Sequence, residues 1–159
     1  MQWTEVLCDR PLQDPPYKIE LDKWGNVVMS PASDRHGRAK GQVAMKLDRL
    51  PIGIALVNAV IATPEGVKVA DIAWCSDVFF DRYGHETPNP RAPEICVEVR
   101  YPCSSISEEE LRLKTRLYLE AGAREVWIVL ETGEARFFGP EGERAASAYG
   151  IDPPPGLNH

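Results

Sequence analysis

Two runs of this chain have the composition of strands buried on both faces, and each carries a carboxylate inside it. Val67 to Cys75 reads VKVADIAWC, with Asp71 in the middle, and Pro93 to Val99 reads PEICVEV, with Glu98 near its end. Short apolar runs rich in β-branched residues form strands. An ionised carboxylate among them is costly unless a counter-charge, a metal or a set of donors meets it. The period of two in a strand puts Glu94, Cys96 and Glu98 on one face and Ile95, Val97 and Val99 on the other. Either Glu98 ends its strand beside an arginine, an ordinary structural pairing, or it joins Asp71 in a site. Two strand acids in one sheet are better evidence for a site than one. Carboxylates completed by water and a phosphate oxygen suit Mg²⁺, which prefers oxygen ligands and keeps several waters.

The rest of the chain supplies a sheet for these strands and helices to cover it. Tyr17 to Asp22 and Val27 to Ser30 alternate around a Trp24-Gly25-Asn26 turn and read as a hairpin. Ser33 is a plausible N-cap for a helix from Asp34 to Leu50, with Ala39, Val43, Leu47 and Leu50 as its core stripe and Pro51 as its stop. Gly53 to Thr63 is a strand that turns through Pro64-Glu65-Gly66 into the Asp71 strand. Ser76 and Asp77 cap a short helix reaching Arg82. Ser107 and Glu110 form a capping-box pattern that opens a helix to Ala121, closed by Gly122. Glu125 to Leu130 and Ala135 to Phe138 are the last strands. Residues 1–16 and 140–159 read as an irregular lead-in and an irregular tail around a single domain, 1–159. The expectation is an α/β (α+β) fold with a mixed central sheet flanked by helices.

On the second helix Lys114 and Tyr118 are four apart, beside the Leu113 and Leu117 row that faces the core. Lys114 is either one more solvated helix lysine, with Glu109 or Glu110 as surface partners, or it points back at the Glu98 strand. A net charge of −6 argues against a generic nucleic-acid coat, whose phosphate contacts need Lys and Arg. It is compatible with an acidic metal centre that a bound cation offsets. The four cysteines, Cys8, Cys75, Cys96 and Cys103, lack metal-ligand spacing and read as reduced thiols. No apolar run reaches the eighteen or so residues of a membrane span, and no signal peptide is recognisable, so the expectation is a cytoplasmic protein without membrane contact.

The order of these features resembles the Uma-type "putative restriction endonuclease" family of bacteria, within the PD-(D/E)XK nuclease superfamily. The elements are Tyr17 and Glu20 in the hairpin, Val27 to Ser33 at its end, and His36 at the helix start. After them come Asp71, the Glu94 to Val99 strand, Lys114, Tyr118 and Gly122, and Glu125 with Trp127 to Val129. Each piece alone is unspecific, and the whole runs from about Tyr17 to Phe138. The resemblance implies a restriction-endonuclease-like fold, with Asp71, Glu98, Lys114 and Glu20 catalytic. Asp71, Glu98 and the carbonyl of Val99 would ligate Mg²⁺ or Mn²⁺. His36 and Tyr118 would be polar residues near the cleft, and Arg35, Arg38 and Lys40 are basic residues available for backbone contacts. It also implies a homodimer acting on nucleic acid, DNA first. The sequence departs from the family at Ala70, where a proline usually precedes the aspartate, and at Tyr101 and Cys103, where serines are usual. It also ends sooner after the last hairpin.

Three functions follow in order of support. The first is a Mg²⁺-dependent endonuclease in which Asp71 and Glu98 hold the metal, Lys114 positions the attacking water and Glu20 holds a metal-bound water. The second is a nuclease-fold module that binds nucleic acid or a protein partner without turnover. The third is a metal-dependent hydrolase of small phosphoesters.

Overall fold

The computed structural model of the protein describes residues 1–8, 17–31, 34–100, 107–130 and 132–152, and the side chains among these except 17, 31 and 34–36. Elements run in the order α1 (Trp3–Cys8), β1 (Tyr17–Leu21), β2 (Val27–Pro31), α2 (Asp34–Leu47), β3 (Gly53–Thr63), β4 (Gly66–Ser76), α3 (Asp77–Tyr83), β5 (Ile95–Arg100), α4 (Glu108–Glu120), β6 (Glu125–Leu130), β7 (Ala135–Gly139) and β8 (Gly142–Arg144). Strands β3 to β8 form a six-stranded sheet in sequence order, and β1–β2 form a separate two-stranded one. Only β5 and β6 pair in parallel, joined through α4; the other neighbours are antiparallel, so the sheet is mixed.

The starts of α3 and α4 follow from local chemistry. Ser107 accepts from the Glu110 amide at 3.1 Å while its own amide donates to Glu110 at 3.2 Å, which is the expected capping box. Ser76 Oγ accepts from the Phe79 amide at 3.1 Å and opens α3. Ser33 lies outside the described residues, as does the 101–106 connector with Tyr101 and Cys103. Helix α2 ends at Leu47 rather than Leu50, because residues 48–50 already turn ahead of Pro51.

Both expected irregular ends contain regular structure. Residues 3–8 form α1, which buries Trp3 and Val6 against Ile19, Leu21 and Val69. Strand β8 lies in the expected tail and pairs Phe137, Phe138 and Gly139 with Arg144, Glu143 and Gly142. Six helical residues and three strand residues are too short to show a period, so neither was visible in the sequence.

One core lies under α2, where Ala39, Val43 and Leu47 meet Ile72, Trp74, Ile95, Val97, Val99, Trp127 and Val129. A second core collects Tyr118 of α4 with Ala59, Ile61, Ala70, Ala73, Cys96 and Val126. Strand β4 feeds both in a way a regular strand cannot. Ile72 and Ala70 are two apart and would share a face, yet Ile72 packs in the first core and Ala70 in the second. The pleat inverts between them, where the strand pairing skips from Val57–Ile72 to Ala59–Ala70 and leaves Asn58 facing Asp71. Asn58 stands at φ 54°, a left-handed conformation that asparagine tolerates better than most residues. Beyond the break, Val60 and Val69 pack under the hairpin.

Candidate active site

The inversion delivers Asp71 to the point where β4 and β5 part. Their pairing runs from Trp74–Ile95 to Ile72–Val97, and the next step along would set Asp71 opposite Glu98. Both are buried, at 2% and 4% exposure. The Val99 amide donates to Asp71 Oδ2 at 2.8 Å, so a side chain takes a bond that a strand carbonyl would normally accept. This bond ties Val99 to the cluster through its N–H and leaves its carbonyl, the expected metal ligand, a separate group.

Strand β1 brings two more charged groups. Its alternation sends Ile19 and Leu21 into the apolar contact with Val69, and Lys18 and Glu20 to the opposite face. Glu20 accepts from the Val69 amide at 2.7 Å, which fixes the hairpin against β4. Lys114 Nζ reaches in from α4 and lies 2.9 Å from both Glu20 Oε2 and Glu98 Oε1. Tyr118, one turn on and fully buried, donates to Glu98 Oε1 at 2.7 Å. Its described partner is thus a carboxylate of the cluster.

The residue missing from the sequence reading is Lys18. Its Nζ lies 2.7 Å from Glu98 Oε2 and 3.2 Å from Asp71 Oδ1, bridging the two acids. Lys40 of α2 lies 3.8 Å from the same Asp71 oxygen and donates to Asn58 Oδ1 at 2.6 Å. The described cluster thus joins three carboxylates (Glu20, Asp71, Glu98) to three ammonium groups (Lys18, Lys40, Lys114). Alternation in Tyr17–Leu21 already set Lys18 beside Glu20, and Asn58 interrupts an apolar strand; those were the available signals. Arg38 is exposed on α2, and no described contact ties it to the cluster. The side chains of Arg35 and His36 lie outside the described residues.

The electrostatics follow from burial and pairing. Burial works to lower the pKa of Lys18, but Glu98, Asp71 and Glu20 outweigh it and raise it above the ordinary lysine value. Burial raises that of Glu20, and Lys114 and Lys18, with the Lys114 and Val69 hydrogen bonds, outweigh it and hold the carboxyl below its ordinary value. Burial and the charge on Lys18 lower Lys40 despite Asp71 and Glu98. Burial and the nearby carboxylates push Tyr118 far up, so it remains a donor.

Among the described residues no group of three or more His, Cys, Asp or Glu is arranged to hold a metal. Asp71 and Glu98 are a pair, and they fit a divalent ion in a specific sense. One oxygen of each already converges on a single compact cation, the Lys18 ammonium. Two carboxylates with water and substrate oxygens completing the shell are the donors Mg²⁺ accepts. A cavity of about 570 Å³ lies elsewhere, between α4 and the β6–β8 edge around Leu111, Leu119, Ile128 and Phe138, and shares no residue with the cluster. No described helix is long and apolar enough to cross a membrane.

The fold and the chain both have known counterparts. The structure is similar to the crystal structure of "a putative nuclease belonging to DUF820" from Anabaena variabilis, with a TM-score of 0.66 and 15% identity over 79% of this chain and 73% of that one. At that identity the likeness establishes the fold. No curated protein matches the sequence. The Uma2 family, described as "Putative restriction endonuclease", matches residues 4–150, nearly the whole chain, and the chain belongs to that family.

Proposed function

We propose that the chain is an endonuclease that hydrolyses nucleic-acid phosphodiester bonds, DNA first, with Mg²⁺ or Mn²⁺ held by Asp71 and Glu98. The observation that carries this reading is the convergence of Asp71 Oδ1 and Glu98 Oε2 on one cation, with Lys114 2.9 Å from the other Glu98 oxygen. A divalent ion bound there supplies Lewis acidity and lowers the pKa of a water. The chain's own residues do the rest. The Val99 amide and Tyr118 hydroxyl hold the two carboxylates in place. An ammonium has three donors; Glu20 and Glu98 engage Lys114 on two sides and hold its charge beside Glu98, a residue that would hold the metal. There it orients the attacking water and meets charge developing on the phosphate. Lys40, Arg38 and His36 are the proposed contacts to the phosphate backbone, which position a duplex without reading it.

A homodimer in the cytoplasm completes the proposal, since two-fold pairing gives one site for each strand of a duplex. Light scattering that finds only monomer at high concentration counts against the dimer. The activity is tested by incubating the protein with plasmid, single-stranded DNA and RNA in Mg²⁺, Mn²⁺ or Ca²⁺. Cleavage is expected with the first two and little with Ca²⁺, a larger and weaker Lewis acid. A protein that binds Mn²⁺ yet cuts none of these substrates is a binding module instead.

A further inference from the structure

Lys18 occupies the point at which the two strand carboxylates converge. Its ammonium is within hydrogen-bond reach of Glu98 Oε2 and Asp71 Oδ1, the two oxygens proposed above as metal ligands. A divalent ion and an ammonium cannot share that point, because their charges repel at contact distance and each needs the same oxygens. With Lys18 in place the described cluster is already balanced, three carboxylates against three ammonium groups.

We propose that Lys18 is a tethered cation that holds the divalent-metal seat in the metal-free protein and must be displaced for metal to bind. This rests on the reading of Asp71 and Glu98 as metal ligands. The fold allows the exchange. Lys18 sits on a hairpin whose strands form a sheet of their own, apart from the six-stranded one. The backbone of that hairpin is held by Ile19 and Leu21 in their apolar contact and by the Glu20 bond to the Val69 amide. The side chain is 14% exposed, so its four-carbon stem has solvent to swing into while the strand stays put. Lys114 does not compete in this way, because it lies on the other Glu98 oxygen and on Glu20. A binding site closed for most of the time weakens apparent affinity by the fraction of time it is open. Lys18 therefore sets the metal concentration at which the site loads. Once displaced, its ammonium is beside the metal and free to meet a phosphate.

The test is Mn²⁺ affinity by calorimetry on wild type, Lys18→Met and Lys40→Met, with thermal unfolding in chelator and in Mn²⁺ as a second readout. Methionine keeps the stem and removes the charge. Lys40→Met removes a charge near Asp71 without vacating the seat, and so measures the field effect alone. Lys18→Met is expected to bind Mn²⁺ about tenfold tighter or more, Lys40→Met only about twofold tighter. In chelator Lys18→Met is expected to melt below wild type and to regain that loss in Mn²⁺. Lys18→Gln serves if the methionine variant does not unfold cooperatively. Wild-type affinity in Lys18→Met, or equal gains in both variants, overturns the displacement while leaving the metal site standing. No Mn²⁺ binding by any of the proteins removes the metal site itself and this inference with it.

Discussion

Two glutamates on neighbouring parallel strands, Glu98 of β5 and Glu125 of β6, are about equally buried and are held in opposite ways. Glu125 is fully buried and meets Trp127 Nε1 at 2.6 Å, Arg144 Nη1 at 2.9 Å, the Ala148 amide at 2.9 Å and the Ser147 hydroxyl. One of these donors is backbone and one is a buried indole, and all four lie on β6, on β8 or on the segment just after it. Glu98 has no backbone donor among its described partners; it is met by Lys18, Lys114 and Tyr118. Those come from the hairpin and from α4, and two of them are long flexible ammonium arms. A carboxylate tied by fixed donors is a structural fastening. Glu98, tied by side-chain cations, has in Lys18 a partner that another cation could replace, which is what a metal site requires.

The comparison is sharpest when each carboxylate is changed alone. Glu98→Gln keeps shape and removes one ligand charge. Cleavage is expected to fall by about 10⁴-fold, on the order of 5 kcal/mol in the barrier, with weaker Mn²⁺ binding in calorimetry and a lowered melting point, since Lys18 and Lys114 each lose a charged partner. A variant that cuts normally would mean that the activity lies elsewhere. Glu125→Ala strands an arginine, an indole N–H, a hydroxyl and an amide, and is expected to cost about 3–5 kcal/mol in chemical denaturation. Its cleavage per folded molecule should be retained; loss of cleavage without loss of stability would erase the distinction between the two sites.

Smaller effects separate roles within the cluster. Lys114→Ala is expected to lower cleavage about 10²–10³-fold while Mn²⁺ affinity stays within a few fold, because its charge acts on the reaction step. Equal losses in both would make Lys114 a positioning residue for Glu98. Glu20→Gln is expected to cost about 2 kcal/mol of stability at neutral pH, the scale of a charge-assisted hydrogen bond. The Glu20 carboxyl is held below its ordinary value of 4.5, so its contribution is present above that value and is lost as pH falls through the folded-state pKa. The gap between wild type and Glu20→Gln, followed by denaturation at stepped pH, should therefore close below about pH 4.5. A gap that persists in acid means that Glu20 stabilises through packing alone.

Much of this was legible in the sequence, and the exceptions share a cause. Asp71 and Glu98 stood out because a charge in a Val/Ile strand has few explanations. Their sheet neighbourhood, the capping box at Ser107 and the helix that carries Lys114 and Tyr118 all follow from local pattern. Lys18 did not, because its role depends on partners 53 and 80 residues away and on how the hairpin lies over β4. Counting by two along β4 was also not enough. The alternation predicted for a regular strand fails where Asn58 turns left-handed, a conformation that no periodicity announces. The helix at Trp3–Cys8 and the strand at Gly142–Arg144 were missed because they take their order from tertiary partners rather than from length. The basic row at the start of α2 divides: Lys40 joins the cluster, Arg38 stays in solvent, and Arg35 and His36 lie outside the described side chains.

The inverted pleat opposite Asp71 also bears on how the β3–β4 hairpin finds its register. In a regular hairpin a slip of two residues leaves every side chain on its proper face, so such slips are the cheap errors of strand pairing. Here a two-residue slip would set the left-handed Asn58 against Val69 or Ala73 and send apolar residues on one side of the break to the wrong core. The degeneracy is gone. The irregularity that exposes an aspartate to a cation thus also marks the single alignment in which both halves of the hairpin can be buried at once.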